Sequence, residues 1–270
     1  MSDVSQDLRR RLAVTVCALL CALATAYGVG ALGGTPVSEA AGGALAADAT
    51  LIAPGTQAFG IWSVIYVGLA GYVIWQWLPP GSGVRGRAIG WWAAASLLLN
   101  GAWLVTIQLG WLWASVPVIL ALAIVLKIVL ARLHAHPRTS WIELAVVDGT
   151  FGLYLGWVAV ATCANIAAAL AAGDMAATGT RAEIISIGVL LAVLVLAIIY
   201  ARRFGGRFAV AGAMAWGVAW IAVARLADEP GSVAVGVSAA FVAALILALP
   251  FGLRPRRRTE PAQGPAPATA

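Results

Sequence analysis

Eight apolar runs, each long enough to cross a membrane as a helix, leave this chain little freedom in how it folds. They lie at about 12–33, 57–78, 88–107, 111–131, 142–170, 184–201, 208–225 and 232–251. A helix needs roughly 20 predominantly apolar residues to cross about 30 Å of hydrocarbon. Charged residues make up only 10% of the chain, against about 25% in a soluble domain, so most side chains face lipid or one another. The reading is an all-α integral membrane protein built as a bundle of eight transmembrane helices.

The first run follows Arg9, Arg10 and Arg11. It is too long for the apolar core of a signal peptide and further spans follow it, so it reads as an uncleaved first helix. With the N-terminus inside, every Lys and Arg except Lys127, Arg181 and Arg225 falls in an inside segment, out of 17 in all. Lys127 lies about a turn deeper and reaches the same side by snorkelling. This bias sets the orientation: a multi-pass protein of the cell's inner (plasma) membrane, surrounded by membrane lipids, with both termini cytoplasmic. The net charge of +6 is therefore a topology signal and not a nucleic-acid footprint. Residues 253–270, with Arg254, Arg256, Arg257 and Arg258 and then a Pro/Ala-rich stretch, read as a disordered cytoplasmic tail.

Polar groups at membrane depth are costly unless they face a protein interior or a ligand. The fifth run, DGTFGLYLGWVAVATCANIAAAL at 148–170, carries Asp148 near its start and Asn165 near its far end. Tyr154, Trp157, Ala161 and Asn165 step by three or four residues and share one helix face. Phe59, Trp62 and Tyr66 do the same on the second run, and Asn100 and Trp103 on the third. Depth places Phe59, Trp62, Asn100, Trp103, Trp157, Ala161 and Asn165 in one outer half of the bundle. Aromatic walls with a few hydrogen-bonding groups suit a flat, mostly apolar ligand, while a Trp-rich core glued by amides is the competing reading. The loop at 35–55, before the second run, would act as a lid.

Asp148 and Lys127 are placed at similar depth on neighbouring helices. They read as a structural ion pair, or as a proton- or ligand-coupled carboxylate in a small-molecule transporter or exporter. No mid-span proline marks the broken helices that transporters favour. Cys17, Cys21 and Cys163 all fall in spans, with no disulfide framework and no metal cluster. His134, His136, Glu143 and Asp148 are the only local set that a membrane enzyme could draw on, and they are sparse. The chain therefore reads as a non-enzyme with no required cofactor and no metal.

Three segments resemble the TspO/MBR family, the tryptophan-rich sensory proteins related to the mitochondrial translocator protein. They are PGTQAFGIWSVIYVGLAGYVIWQ at 54–76, LLLNGAWLVTIQ at 97–108 and LYLGWVAVATCAN at 153–165. The resemblance covers roughly residues 12–170. It implies a five-helix bundle, often a homodimer, with a pocket near the first loop for porphyrins or, in animal members, cholesterol and synthetic ligands. It places Trp62, Tyr66, Asn100, Trp103, Tyr154, Trp157 and Asn165 at pocket-lining or pocket-supporting positions, with a porphyrin or haem-like tetrapyrrole as the implied ligand. Only Pro54 remains of the family's paired prolines before the second helix, and Leu153 replaces a proline whose loss would remove a helix irregularity. The expected division is a TspO/MBR-like five-helix bundle at 1–172, three additional transmembrane helices at 173–252 and the tail at 253–270. The expected role is a membrane-embedded binding or sensory protein.

Overall fold

A computed structural model of the chain describes residues 3–175 and 177–252. The basic and Pro/Ala-rich tail at 253–270 lies outside the described residues. Among the described residues, eight helices are long and apolar enough to cross a membrane: α1 (Asp3–Gly28), α2 (Ile61–Trp75), α3 (Val84–Gln108), α4 (Leu112–Ala135), α5 (Thr150–Leu170), α6 (Gly179–Phe204), α7 (Phe208–Ala227) and α8 (Val233–Gly252). A 3₁₀ turn, Thr56–Gly60, leads into α2, and a π-helical segment, Glu143–Gly149, leads into α5.

These helices are apolar nearly all round, so a polar face cannot decide which side turns inward. Small residues and buried polar groups decide it instead. On α5, Gly152 and Gly156 face α7: a Cβ on Gly156 would lie 2.4 Å from the Val210 carbonyl oxygen and 2.8 Å from the Ala213 Cβ. A Cβ on Gly68 of α2 would lie 2.4 Å from Thr150 Oγ1. The fifth span is thus pressed between α2 and α7. Around it, α1 packs on α3, α3 on α4 and α4 on α5, while α7 and α6 both pack on α8. α1 is the least enclosed of the spans, and α7 the most.

Two helices begin earlier than the apolar runs indicate. α1 starts ahead of Arg9–Arg11 and α3 starts at Val84, which draws Arg10 and Arg85 into the bundle, 3% and 7% exposed. The loop at 35–55 forms no α-helix. There is only a 3₁₀ turn at Ala40–Gly43, interrupted by left-handed backbone at Ala41 and Gly42. Pro117 lies in the second turn of α4 and Pro250 near the end of α8, so neither breaks a helix at its middle.

The loss of a proline at Leu153 leaves α5 regular there. The irregularity lies before it, in the π-helical segment. Glu143 and Asp148 are five residues apart, which on an α-helix would turn them about 140° from each other. The wider π turn, bonded i to i+5, brings both to Arg85. Arg85 donates from Nη2 to Asp148 Oδ2 at 2.6 Å and from Nη1 to Glu143 Oε2 at 3.3 Å. Arg207, just before α7, donates from Nη1 to Asp148 Oδ1. One buried charge cluster thus joins α3, the start of the fifth span and the start of α7.

Candidate ligand-binding site

At the opposite end of the bundle, the aromatic side chains of the second and fifth spans interlock. Trp62 stacks on Tyr66, with ring centroids 5.2 Å apart and planes at 18°. It meets Tyr154 edge-on at 5.8 Å and Trp157 edge-on at 6.3 Å. Phe59, on the 3₁₀ turn, meets Trp157 edge-on at 5.7 Å. Such edge-on pairs hold the rings in fixed relative positions.

The amides tie this cluster to its neighbours. Asn100 donates from Nδ2 to Tyr66 Oη at 3.3 Å and to Cys21 Sγ at 3.5 Å. Trp103 Nε1 donates to Asn165 Oδ1 at 2.7 Å, and Asn165 Nδ2 donates to Ser115 Oγ at 2.8 Å. Asn165 therefore links α3, α4 and α5. Tyr154 is fully buried and donates to the Ser96 carbonyl at 3.2 Å.

Two hollows flank the cluster. The larger, about 420 Å³, lies between α1, the first loop, α2 and α3. Its volume is within the range of small-molecule sites, about 300–1,000 Å³. The smaller, about 40 Å³, lies between α3, α4 and α5 beneath loop residues 44–54. Phe59, Trp62, Asn100 and Trp103 line both. Tyr66 lines the larger, whereas Trp157, Ala161 and Asn165 line the smaller. Tyr154 lines neither and supports Trp62 from behind.

The first loop is fastened on two sides. Near its start, Gln108 at the end of α3 accepts from the Thr35 amide at 3.2 Å and donates to the Thr35 carbonyl at 2.5 Å. Near its end it is held by α7. Arg225, 1% exposed, donates to the carbonyls of Ala47, Thr50 and Pro230 at 2.8, 3.3 and 2.9 Å. The Gly55 amide donates to the Trp220 carbonyl at 3.1 Å, and Trp216 Nε1 to the Ala58 carbonyl at 2.9 Å.

Sequence reasoning missed this latch. Arg225 stood out only as one of two cations outside the inside set, and nothing in the pattern linked α7 to the first loop. The Lys127–Asp148 pair does not form: Lys127 is exposed on α4, and Asp148 is held by Arg85 and Arg207. Depth alone had paired them, because Arg85 read as a loop residue. His134 and His136 join no metal-holding group: among the described residues, no three or more His, Cys, Asp or Glu side chains are placed to bind a metal ion.

No curated protein and no solved structure matches the chain. A family model described as TSPO-like protein matches residues 13–251, from the first helix through the eighth. With its aromatic cluster, its fastened loop and this match across nearly the whole sequence, the chain belongs to the TSPO-like protein family.

Proposed function

We propose that this protein is a membrane-embedded binding and sensory protein for a flat, mostly apolar ligand. The observation that carries the reading is the 420 Å³ hollow walled by Phe59, Trp62, Tyr66 and Trp103. Family membership supports it, since members are non-catalytic receptors and transporters. Residues 1–172 supply the hollow. Residues 173–252 supply the helix that fastens the loop above it. The ligand enters between aromatic walls with the first loop as lid, and no bond is made or broken. The charge bias supports a reading with the loop on the outer side of the inner membrane and both termini in the cytoplasm. Asp148 lines neither hollow, so a transport role coupled to that carboxylate has no geometric support.

The test is a titration of purified protein with a panel of flat apolar molecules, headed by a porphyrin as the resemblance suggests, followed by visible absorbance and Trp quenching. Saturable binding is expected. Trp62→Ala should weaken it about tenfold, because an aromatic contact contributes about 0.5–1.5 kcal/mol beyond its buried area. Binding that is unchanged in Trp62→Ala, with the helical circular dichroism intact, would remove the hollow as the site.

A further inference from the structure

The walls of the larger hollow are not equally firm. Above it lies the first loop, fastened by Gln108 near its start and by Arg225, Trp216 and the Gly55 amide near its end. Toward the smaller hollow stand Phe59 and Trp62, edge-on against Trp157, and Trp103, bonded to Asn165. The wall toward α1 is of another kind. Thr25, Val29 and Tyr66 stand there, and the same three residues line a groove of about 610 Å³ on its far side.

The groove lies between α1 and α2, both of them membrane spans. α1 turns small side chains to it, Ala18, Ala22 and Ala26, one helical turn apart. Small residues in a span usually let two helices close on each other. α1 does so on its α3 side: a Cβ on Gly101 would lie 3.6 Å from Ala24 Cβ, and one on Gly28 would lie 3.1 Å from Leu104 Cδ2. Toward α2 the same helix stands off. The two are tied near Thr15, where Trp77 Nε1 donates to Thr15 Oγ1 at 3.1 Å and Gln76 Nε2 to the Arg11 carbonyl at 3.3 Å. From Thr15 to Val29 the groove lies between them. α1 is also the least enclosed span. A region with few packed contacts opens at the least cost, so this wall yields before the latched loop does.

Leu19 and Ile74 line the groove and are exposed, which within a span means that they face lipid. No charged side chain lines the groove or the larger hollow among the described residues. A flat apolar molecule moving from lipid tails to Leu69, Val73 and Ile74 exchanges one apolar surface for another. A charged molecule would lose its hydration and meet no counter-charge.

We infer that the α1–α2 groove is a side port through which the hollow exchanges its ligand with the bilayer. The ligand class is an uncharged flat ring dissolved among lipid tails. Thr25, Val29 and Tyr66 are the gate, and the ligand passes beneath the first loop while the loop stays closed. This rests on the reading of the hollow as a ligand site and adds the route to it.

The experiment follows the saturable part of Trp quenching by pyrene, a flat uncharged ring system, in stopped flow with the full-length protein in phosphatidylcholine vesicles. Arg225 is kept intact, because loss of the latch opens a separate way out past the loop. Ala22 lines the groove and not the hollow, so Ala22→Phe narrows the passage and leaves the site untouched. Association and dissociation should both slow about tenfold, as overpacking a passage adds to its barrier, with the Kd unchanged. Leu23→Phe is the control: Leu23 is exposed on the next position of α1 and lines neither space, and its rates should match the parent's. Unchanged rates in Ala22→Phe would overturn the port and leave the hollow as a site. A weakened Kd with faster dissociation would make the groove part of the site and would overturn its role as a passage. Equal slowing in Leu23→Phe would trace the effect to α1 as a whole and would also overturn it. Pyrene that does not bind the parent would overturn the inference, which commits the hollow to uncharged flat rings. Failure of the whole flat-ligand panel would remove the broader reading as well.

Discussion

Single side chains hold this bundle where hydropathy is blind. Asp148 is the clearest case: it is 3% exposed and bonded to two arginines from separate elements. Removing one partner of a buried pair leaves the other charge uncompensated, at about 3–5 kcal/mol. Asp148→Ala is therefore expected to lower the melting temperature in detergent sharply. Lys127→Ala should stay within about 0.5 kcal/mol of the parent, as surface substitutions do. Equal effects from the two would restore the pairing that depth suggested. The contrast also shows what was legible. A carboxylate in an apolar run announces itself, and so does Asn165 near the end of its span. Their partners do not: Ser115 is a lone small hydroxyl near the start of α4, and Arg85 sits where a charge is expected in a loop. Only the early start of α3 at Val84 and the π turn bring Arg85 and Asp148 within reach of each other, and no hydrophobic period records either feature.

Among the elements, α7 is the one whose role the apolar runs conceal. Its length and hydropathy mark it as a span, and nothing more. In the structure it packs on α5 through Gly152 and Gly156, and its Trp216, Trp220 and Arg225 hold the first loop over the aromatic cluster. The aromatic stripes of the second, third and fifth spans were legible because rings and amides recur at helical spacing. The latch was not, since it consists mostly of side chains bonded to backbone carbonyls, which carry no sequence signature. Arg225→Ala should free the carbonyls of Ala47 and Thr50. Hydrogen exchange at loop amides 44–55 is expected to speed up and the ligand off-rate to rise several-fold, with the helical content unchanged. Unchanged exchange would show that Trp216 and the Gly55 amide suffice. Gly156→Leu tests the other contact of α7. The new side chain would be driven into the Val210 carbonyl, and overpacking costs about 1–3 kcal/mol or more. Gly188→Leu, on α6 where a Cβ meets nothing within 4 Å, is the matched control and should be nearly silent.

For the whole molecule, the question is whether the first five helices stand alone. The resemblance to a five-helix bundle divides the chain near residue 172, whereas the family match runs to residue 251. The packing bears on this directly. α5 and α7 are the two most enclosed spans, and each supplies much of the other's cover. A fragment ending near residue 172 would expose the Gly152–Gly156 seam to lipid. It would also leave Asp148 with one arginine in place of two and the first loop fastened only at Gln108. In lipid the exposed apolar face costs little, because tails and side chains are equally apolar. The helices can therefore insert without α6–α8. The charge cluster and the loop latch are directional hydrogen bonds that lipid cannot replace. The fragment 1–172 is thus expected to insert into membranes, to melt at a lower temperature than the full chain, and to bind the flat ligand at least tenfold more weakly. Co-expression of 173–252 as a separate chain should recover part of both losses, since α7 would again meet the seam, Asp148 and the loop. Thermal melts and Trp quenching of the three preparations decide the matter, and a fragment that matches the full chain in both would show that α6–α8 serve a purpose separate from the hollow.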